Sequence, residues 1–251
     1  MFTKTLLLLM AANVLSAGHI GYPKNRIIGG SNIAIEKAPW QVYLEWKEDS
    51  HTHTCGGSLI RPDVVLTAAH CVNLTQLETY RVRVGSSKRN EGGQLFAVAN
   101  FVVHQDYNIH NRFRFLNDIA VLRITNPVKI GPSAQTIALA TFPPPAGAQA
   151  LTTGWGRILP FVEKSPIILQ GINVTILSSN ECSIFPWINK KIICAGSKGK
   201  TACRGDSGGA LVVNNQAVGV VSTGTCDGPT NYVSVPYFHQ WILGAVEELY
   251  L

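Results

Sequence analysis

The chain has 251 residues, of which 46% are hydrophobic and 14% are charged, so it is long enough to bury a large core as one all-β domain. Its formal net charge is +6, but three basic and no acidic residues lie in the first 26 positions, which leaves only +3 for the remainder. This weak bias, without any Lys/Arg run, argues against a nucleic-acid-binding function.

Residues 1–18 are expected to be a secretory signal peptide. Lys4 precedes an apolar run at residues 6–14, and the small residues at 16–18 offer a cleavage site. The run is too short to span a bilayer, so we expect no membrane anchor. The sequence therefore predicts a secreted, extracellular protein.

Beyond the signal, short β-prone apolar runs alternate with clusters of Gly, Pro, Asn and Ser. The runs are Gln41–Trp46, Val64–Thr67, Tyr80–Val84, Leu95–Val103, Ile119–Ile124 and Ala217–Ser222. Such spacing predicts an all-β barrel or sandwich. At the C-terminus, apolar residues recur at near-helical spacing between Tyr237 and Tyr250, which predicts one amphipathic helix packed on the β body.

The most proline-rich stretch is residues 141–148, with the sequence Thr-Phe-Pro-Pro-Pro-Ala-Gly-Ala. Its position near the middle of the chain favours a connector between two β halves. A surface loop within one β domain is the alternative.

Six cysteines in a secreted chain imply disulfide bonds, although spacing alone allows 15 pairings. They are Cys55, Cys71, Cys182, Cys194, Cys203 and Cys226. No Cys-x-x-Cys pair occurs, so we predict no metal site. Two sequons make Asn73 and Asn173 candidate glycan acceptors, with unmodified loop asparagines as the alternative.

The segment Thr201–Gly209 places Ser207 between glycines and directly after an aspartate. Serine is a weak nucleophile by itself and needs a base and donors for an oxyanion. The backbone N–H groups of Gly205 and Ser207 are candidates for that oxyanion hole. Taken alone, Asp-Ser-Gly is usually just a Gly/Ser-rich surface turn.

Two further segments offer a base and a carboxylate. His70 ends the small-residue stretch Leu66-Thr-Ala-Ala-His and is followed by a cysteine, which would help to hold a base in one orientation. Asp118 precedes an apolar strand, where a buried carboxylate needs a donor such as a histidine N–H. Taken singly, these residues are more typical of a core histidine and a turn aspartate.

Together these segments resemble the chymotrypsin-like serine proteases over residues 27 to about 248. The matching motifs are Ile27-Ile-Gly-Gly, Ala38-Pro-Trp-Gln-Val, Cys55-Gly-Gly-Ser-Leu-Ile, Leu66–Cys71, Asn117–Leu122, Gly154-Trp-Gly, Gly205–Gly209 and Ser222. The resemblance implies an all-β fold of two six-stranded antiparallel barrels packed face to face, with a C-terminal helix, over a protease domain at 27–251. It also implies the disulfide pairs Cys55–Cys71, Cys182–Cys194 and Cys203–Cys226.

The resemblance implies a mechanism as well. Ser207 would attack the scissile carbonyl, His70 would take its proton, and Asp118 would fix and stabilise His70. Ser222 resembles the serine that donates a hydrogen bond to the buried aspartate. The enzyme would be a serine endopeptidase that works through an acyl-enzyme and needs no cofactor.

Residues 19–26 look like an activation propeptide that ends at Arg26. Cleavage there would create an ammonium on Ile27, and in the family this ammonium inserts beside the aspartate before the nucleophile, which is Asp206. The expected partners are protein or peptide substrates, a trypsin-like activating protease and protein protease inhibitors. We expect a monomer that binds neither membranes nor nucleic acid.

The family resemblance puts Thr201 at the base of the specificity pocket. A neutral hydroxyl cannot compensate the desolvation of a substrate Lys or Arg, so we expect cleavage after small to medium apolar residues, with Leu, Phe or Tyr as the runner-up. The other residues expected at this pocket are Ala202, Arg204, Ser222, Thr223, Gly224 and Thr230.

The same resemblance bears on calcium binding and on a competing function. The stretch Gly85–Glu91 resembles a calcium loop but carries one carboxylate among bases, so we expect no calcium there. A catalytically inactive homologue that acts as a binding or regulatory protein is the competing function. Such homologues usually lack a triad member, and this chain has all three.

Overall fold

The computed structural model describes residues 28–72, 77–110, 116–159, 163–182 and 190–251. The expected signal peptide and propeptide lie outside these residues. Across the described ranges the chain forms fourteen strands and one α-helix. The strands are β1 (Ser31–Asn32), β2 (Gln41–Glu48), β3 (His51–Arg61), β4 (Val64–Thr67), β5 (Arg81–Val84), β6 (Gln94–Val103), β7 (Ala120–Ile124), β8 (Ala138–Leu139), β9 (Gln149–Gly154), β10 (Gln170–Thr175), β11 (Ile192–Ala195), β12 (Ala210–Val213), β13 (Gln216–Gly224) and β14 (Thr230–Ser234); the helix α1 spans Val235–Glu248.

The first half of the chain forms a closed barrel of six antiparallel strands in the order β2-β3-β4-β7-β6-β5. Side chains alternate across each strand, so Val82 and Val84 of β5 point inward and are buried while Arg81 is exposed. This half confirms the six-stranded barrel and all five β-prone runs that the sequence placed there.

The second half differs from the expected six-stranded closed barrel. It is an eight-stranded sheet with the path β1-β10-β9-β12-β13-β14-β11, and β8 pairs in parallel with β13. The ends of β10 and β11 meet through one isolated bridge between Ile176 and Ala195, not through a continuous ladder. In the described residues the sheet therefore stays open, with β1 paired to the free edge of β10.

The predicted C-terminal helix forms two residues earlier than expected, at Val235. Ser234 caps it by accepting a hydrogen bond from the Tyr237 N–H at 3.4 Å, and Pro236 occupies the first turn. Its apolar face joins the core of the first barrel through Phe238, Ile242 and Leu249. Within the described ranges, no helix has the length and apolarity required to cross a membrane.

The proline-rich stretch 141–148 lies between β8 and β9, so it is a loop within the second sheet. The chain instead passes between the halves after β7 ends at Ile124 and before β8 begins at Ala138. The connector interpretation of 141–148 is therefore wrong. The structure joins the three cysteine pairs that the resemblance implied, Cys55–Cys71, Cys182–Cys194 and Cys203–Cys226.

Candidate active site

The loop that carries Ser207 needs glycine at two positions. Gly205 and Gly208 have φ values of +98° and +84°, a region that side chains disfavour. A Cβ on Gly208 would also lie 2.1 Å from Thr67 Oγ1. The loop is tied to the first barrel by the Gly56 N–H, which donates to the Ser207 carbonyl at 2.7 Å. Ser207 is thereby held at the boundary between the two halves.

Asp118 is buried and accepts three hydrogen bonds. The backbone N–H of His70 donates to Oδ1 at 2.8 Å, the His70 ring Nδ1–H donates to Oδ2 at 2.7 Å, and the Ser222 hydroxyl donates to Oδ2 at 2.6 Å. With Nδ1 as a donor to a carboxylate, Nε2 is the basic nitrogen of a neutral ring. The ring is therefore fixed in the orientation and tautomer that a general base requires.

His70 and Ser207 line one cavity of about 530 Å³. Its lining includes six of the seven residues that the sequence assigned to the specificity pocket: Ala202, Arg204, Ser222, Thr223, Gly224 and Thr230. Tyr107, Ile109 and Val221 also line it and had no signal in the sequence, because their approach to the site depends on the barrel packing.

Thr201 is the pocket residue whose position differs from expectation. It is fully buried and does not line the cavity in the described part of the chain. Its hydroxyl lies 2.7 Å from the hydroxyl of Thr230, which does line the cavity. Thr230 pairs with Gly224 across β13 and β14, and a Cβ on Gly224 would lie 2.9 Å from Thr230 Oγ1. Thr230 therefore links the cavity lining to the buried Thr201.

Asp206 points away from the cavity into the second half. It is 1% exposed, and its carboxylate accepts the N–H of Gly156 at 2.7 Å and that of Cys203 at 2.9 Å. Burial raises the pKa of Asp206 to about 6, against the opposing effect of these two donors. Gly154 and Gly156 make room for it, because a Cβ on either would lie within 2.5 Å of a carboxylate atom.

Several predicted positions fall outside the described residues. These are Arg26 and Ile27 of the expected cleavage site and the candidate glycan acceptor Asn73. Asn173, the other candidate acceptor, has an exposed side chain on β10.

Two arrangements bear on metal binding. Cys55, His70 and Cys71 bring ligand-type atoms within 4.8 Å of one another, but the two sulfurs are bonded to each other and neither is a thiolate ligand. In the stretch Gly85–Glu91, the Lys88 ammonium is paired with the Glu91 carboxylate.

Comparison with known proteins assigns this fold and site to one family. The family model described as Trypsin matches residues 27–242, and the chain belongs to the trypsin family. Trypsin alpha of Drosophila erecta is 36% identical and trypsin of Sarcophaga bullata is 38% identical, each over 89% of this chain and 89% and 90% of the relative respectively. The protein is therefore a serine endopeptidase with protein substrates.

Solved structures agree with the fold. Neuropsin, described as a serine protease expressed in the limbic system of mouse brain, is 30% identical with a TM-score of 0.77, covering 86% of this chain and 98% of that one. The scabies mite inactivated protease paralogue S-D1 is 25% identical with a TM-score of 0.80, covering 88% and 97%. Both belong to trypsin-fold proteins, a fold of two β-barrels.

Proposed function

We propose that this chain is the precursor of a secreted serine endopeptidase, activated at Arg26–Ile27, that cleaves after small to medium apolar residues. The observation that carries this proposal is the hydrogen-bonded pair of buried threonines, Thr201 and Thr230, of which Thr230 lines the cavity beside His70 and Ser207. The catalytic roles, the activation step and the specificity are argued in turn below.

The hydrogen bonds that join His70, Asp118 and Ser222 support the catalytic roles. Ser207 attacks the scissile carbonyl, and His70 Nε2 takes the hydroxyl proton and returns it to the leaving amine. Asp118 holds the imidazole and stabilises its cation, supported by the Ser222 hydroxyl at 2.6 Å. The N–H groups of Gly205 and Ser207 stabilise the oxyanion. Loss of one such donor typically lowers turnover by ~10²–10³.

Asp206 supports activation by a new amino terminus. Its carboxylate has no cation among its hydrogen-bond partners in the described ranges, and burial of an unpaired charge is costly. Ile28 packs against Cys203, and its carbonyl accepts the Thr201 N–H at 3.2 Å, so the chain reaches the neighbourhood of Asp206 at the second residue after the cleavage site. An ammonium on Ile27 would neutralise this carboxylate.

The cavity supports an apolar preference over Lys or Arg. Asp118 is the one carboxylate among the described residues that line the cavity. It already accepts hydrogen bonds from His70 and Ser222. A substrate ammonium or guanidinium would therefore be desolvated there without a counter-ion. The relatives are named trypsins, so on this point the proposal departs from their name. Thr230 shortens the cavity and favours Ala, Val or Leu over larger rings.

Secretion, activation by a trypsin-like protease, inhibition by protein protease inhibitors and a monomeric state complete the proposal. Secretion is supported by the signal-like residues 1–18, and activation by a trypsin-like protease is supported by Arg26 at the expected cleavage site. An inactive homologue is the alternative function, and one structural neighbour is described as inactivated. The hydrogen-bonded His70 and Asp118 beside Ser207 favour the enzyme.

The test is a peptide-library cleavage profile of protein processed at Arg26–Ile27, with an Arg26→Gln variant as the unprocessed control. We expect cleavage after Ala, Val or Leu and an inactive control. A strict Lys or Arg preference would contradict the specificity, and full activity of the control without N-terminal processing would contradict the activation step.

A further inference from the structure

Lys191 joins the second half of the protein to the turn that carries Asp118. Its half-buried ammonium donates a hydrogen bond to Asn117 Oδ1 at 2.9 Å, across 74 positions of sequence. Lys191 directly precedes β11 of the open sheet, while Asn117 precedes Asp118 and β7 of the closed barrel. The contact therefore crosses the boundary between the halves one residue from the carboxylate that holds His70.

Asn117 is a residue whose conformation needs such support. Its φ of +58° lies in the left-handed region, where a residue other than glycine is held by its surroundings, although asparagine tolerates it better than most. The side chain is 8% exposed, and its amide donates to the Asp106 carbonyl at 3.2 Å. With the Lys191 bond, both ends of the buried amide are paired, so the turn has one defined geometry.

Lys191 is itself fixed at the beginning of α1. Its carbonyl accepts the Ser234 N–H at 2.8 Å, and its ammonium lies 5.7 Å from the centre of the Tyr237 ring, within cation–π range. The lysine stem is flexible in isolation, so these contacts determine where its charge lies. The start of α1 thereby positions the donor that reaches Asn117.

We propose that Lys191 is a positioning residue for catalysis, which acts through Asn117 on the placement of Asp118. Asp118 then has two anchors from the second half, since Ser222 holds its carboxylate and Lys191 holds the turn before it. Lys191 does not line the cavity of His70 and Ser207, so its loss should affect turnover and leave substrate binding unchanged. Small displacements of a catalytic group are enough to slow the chemical step.

The test uses Lys191→Met, which keeps the stem and removes the donor, and Asn117→Gly, which removes the amide and permits the positive φ. Turnover is normalised to active sites titrated with an organophosphate, so that misfolded protein is not counted. We expect Lys191→Met to lower kcat about 10-fold with KM unchanged. The exposed neighbour Lys190 provides the control, and Lys190→Ala should stay within about 2-fold of the wild type.

The double variant separates action through Asn117 from a general structural effect. If Lys191 acts through Asn117, the double variant loses no more kcat than Asn117→Gly alone. Additive losses, an increase confined to KM, or a Lys191→Met enzyme equal to Lys190→Ala would overturn the proposal. The inference rests on the peptidase activity. A wild-type protein without turnover would contradict that activity, whereas the outcomes above contradict only the role of Lys191.

Discussion

The hydroxyls of Thr201 and Thr230 lie 2.7 Å apart, and Thr230 lines the cavity whereas Thr201 does not. The Thr230 hydroxyl oxygen also lies 3.4 Å from the Ala202 carbonyl oxygen. Both side chains are buried, and their hydroxyls are hydrogen-bonded to each other. We propose that Thr230, which lines the cavity, limits which side chains can enter.

Shortening Thr230 should enlarge the cavity. We expect Thr230→Gly to raise kcat/KM for Phe and Tyr substrates about 10-fold relative to Ala substrates, since a misfit of this size is worth ~1–3 kcal/mol. Chromogenic peptides that differ only at the residue before the cleaved bond would measure it. Thr225→Gly, at an exposed position outside the cavity lining, is the control. An unchanged Phe-to-Ala ratio in Thr230→Gly would contradict this role.

A carboxylate at position 201 should not suffice for cleavage after Lys or Arg. In Thr201→Asp the new charge would lie behind Thr230, buried and out of reach of the substrate cation. We expect Lys and Arg substrates to be cleaved only by the double variant Thr201→Asp/Thr230→Gly. Efficient Lys cleavage by the single variant would show that Thr230 does not separate position 201 from the cavity.

Replacing Asp118 and removing the hydroxyl of Ser222 should lower turnover to different extents. Asp118→Asn reverses the hydrogen-bonding role toward His70 Nδ1, and in serine proteases of this type the loss in kcat is about 10⁴. Ser222→Ala removes one hydrogen bond to a charged group, which typically contributes about 2 kcal/mol. We therefore expect a smaller decrease in kcat than for Asp118→Asn. Steady-state kinetics at saturating substrate would compare them. A larger loss in Ser222→Ala than in Asp118→Asn would contradict the assignment.

Asp206 should make the unprocessed protein less stable as pH rises. Its folded pKa of about 6 lies above the ordinary 3.8, so the folded state holds the proton more tightly than the unfolded state. Stability is therefore lost between about pH 4 and pH 6, by about 3 kcal/mol in total, at 1.36 kcal/mol for each unit.

Urea unfolding of Arg26→Gln at about pH 4 and pH 7 would measure this loss, and adding Asp206→Asn should remove it. Processing at Arg26 should also reduce it, because an ammonium on Ile27 favours the charged carboxylate. The same pH dependence with and without Asp206 would show that another group is responsible.

Calcium removal should leave the thermal stability of the protein unchanged. The Arg83 guanidinium donates to the carbonyls of Arg89 at 3.1 Å and Gly92 at 2.5 Å, so a cationic side chain already holds the loop that follows β5. We expect the same Tm with EDTA and with added calcium, and a lower Tm for Arg83→Ala. A rise in Tm on calcium addition would contradict the prediction.

The sequence was most informative where function is concentrated in short motifs. His70, Asp118 and Ser207 stand in segments whose small residues and glycines are themselves distinctive. Five of the six strands of the first barrel coincide with predicted apolar runs, whereas β3 does not. The contact between Thr201 and Thr230 could not be predicted, because it joins residues 29 positions apart that only the folded chain brings together. The Lys191–Asn117 bond joins two residues without any shared pattern, and the open second sheet depends on which strands pair at its edges, which side-chain alternation does not encode.

Covalent labelling of Ser207 is the most direct test of the central claim that this chain is a serine endopeptidase. Protein processed at Arg26–Ile27 would be treated with an organophosphate and the modified residue located by mass spectrometry, beside unprocessed Arg26→Gln and processed Ser207→Ala. We predict stoichiometric labelling of Ser207 in the processed protein, together with loss of peptide cleavage, and little labelling of either control. Processed protein that cleaves no peptide and takes up no label at Ser207 would contradict the claim.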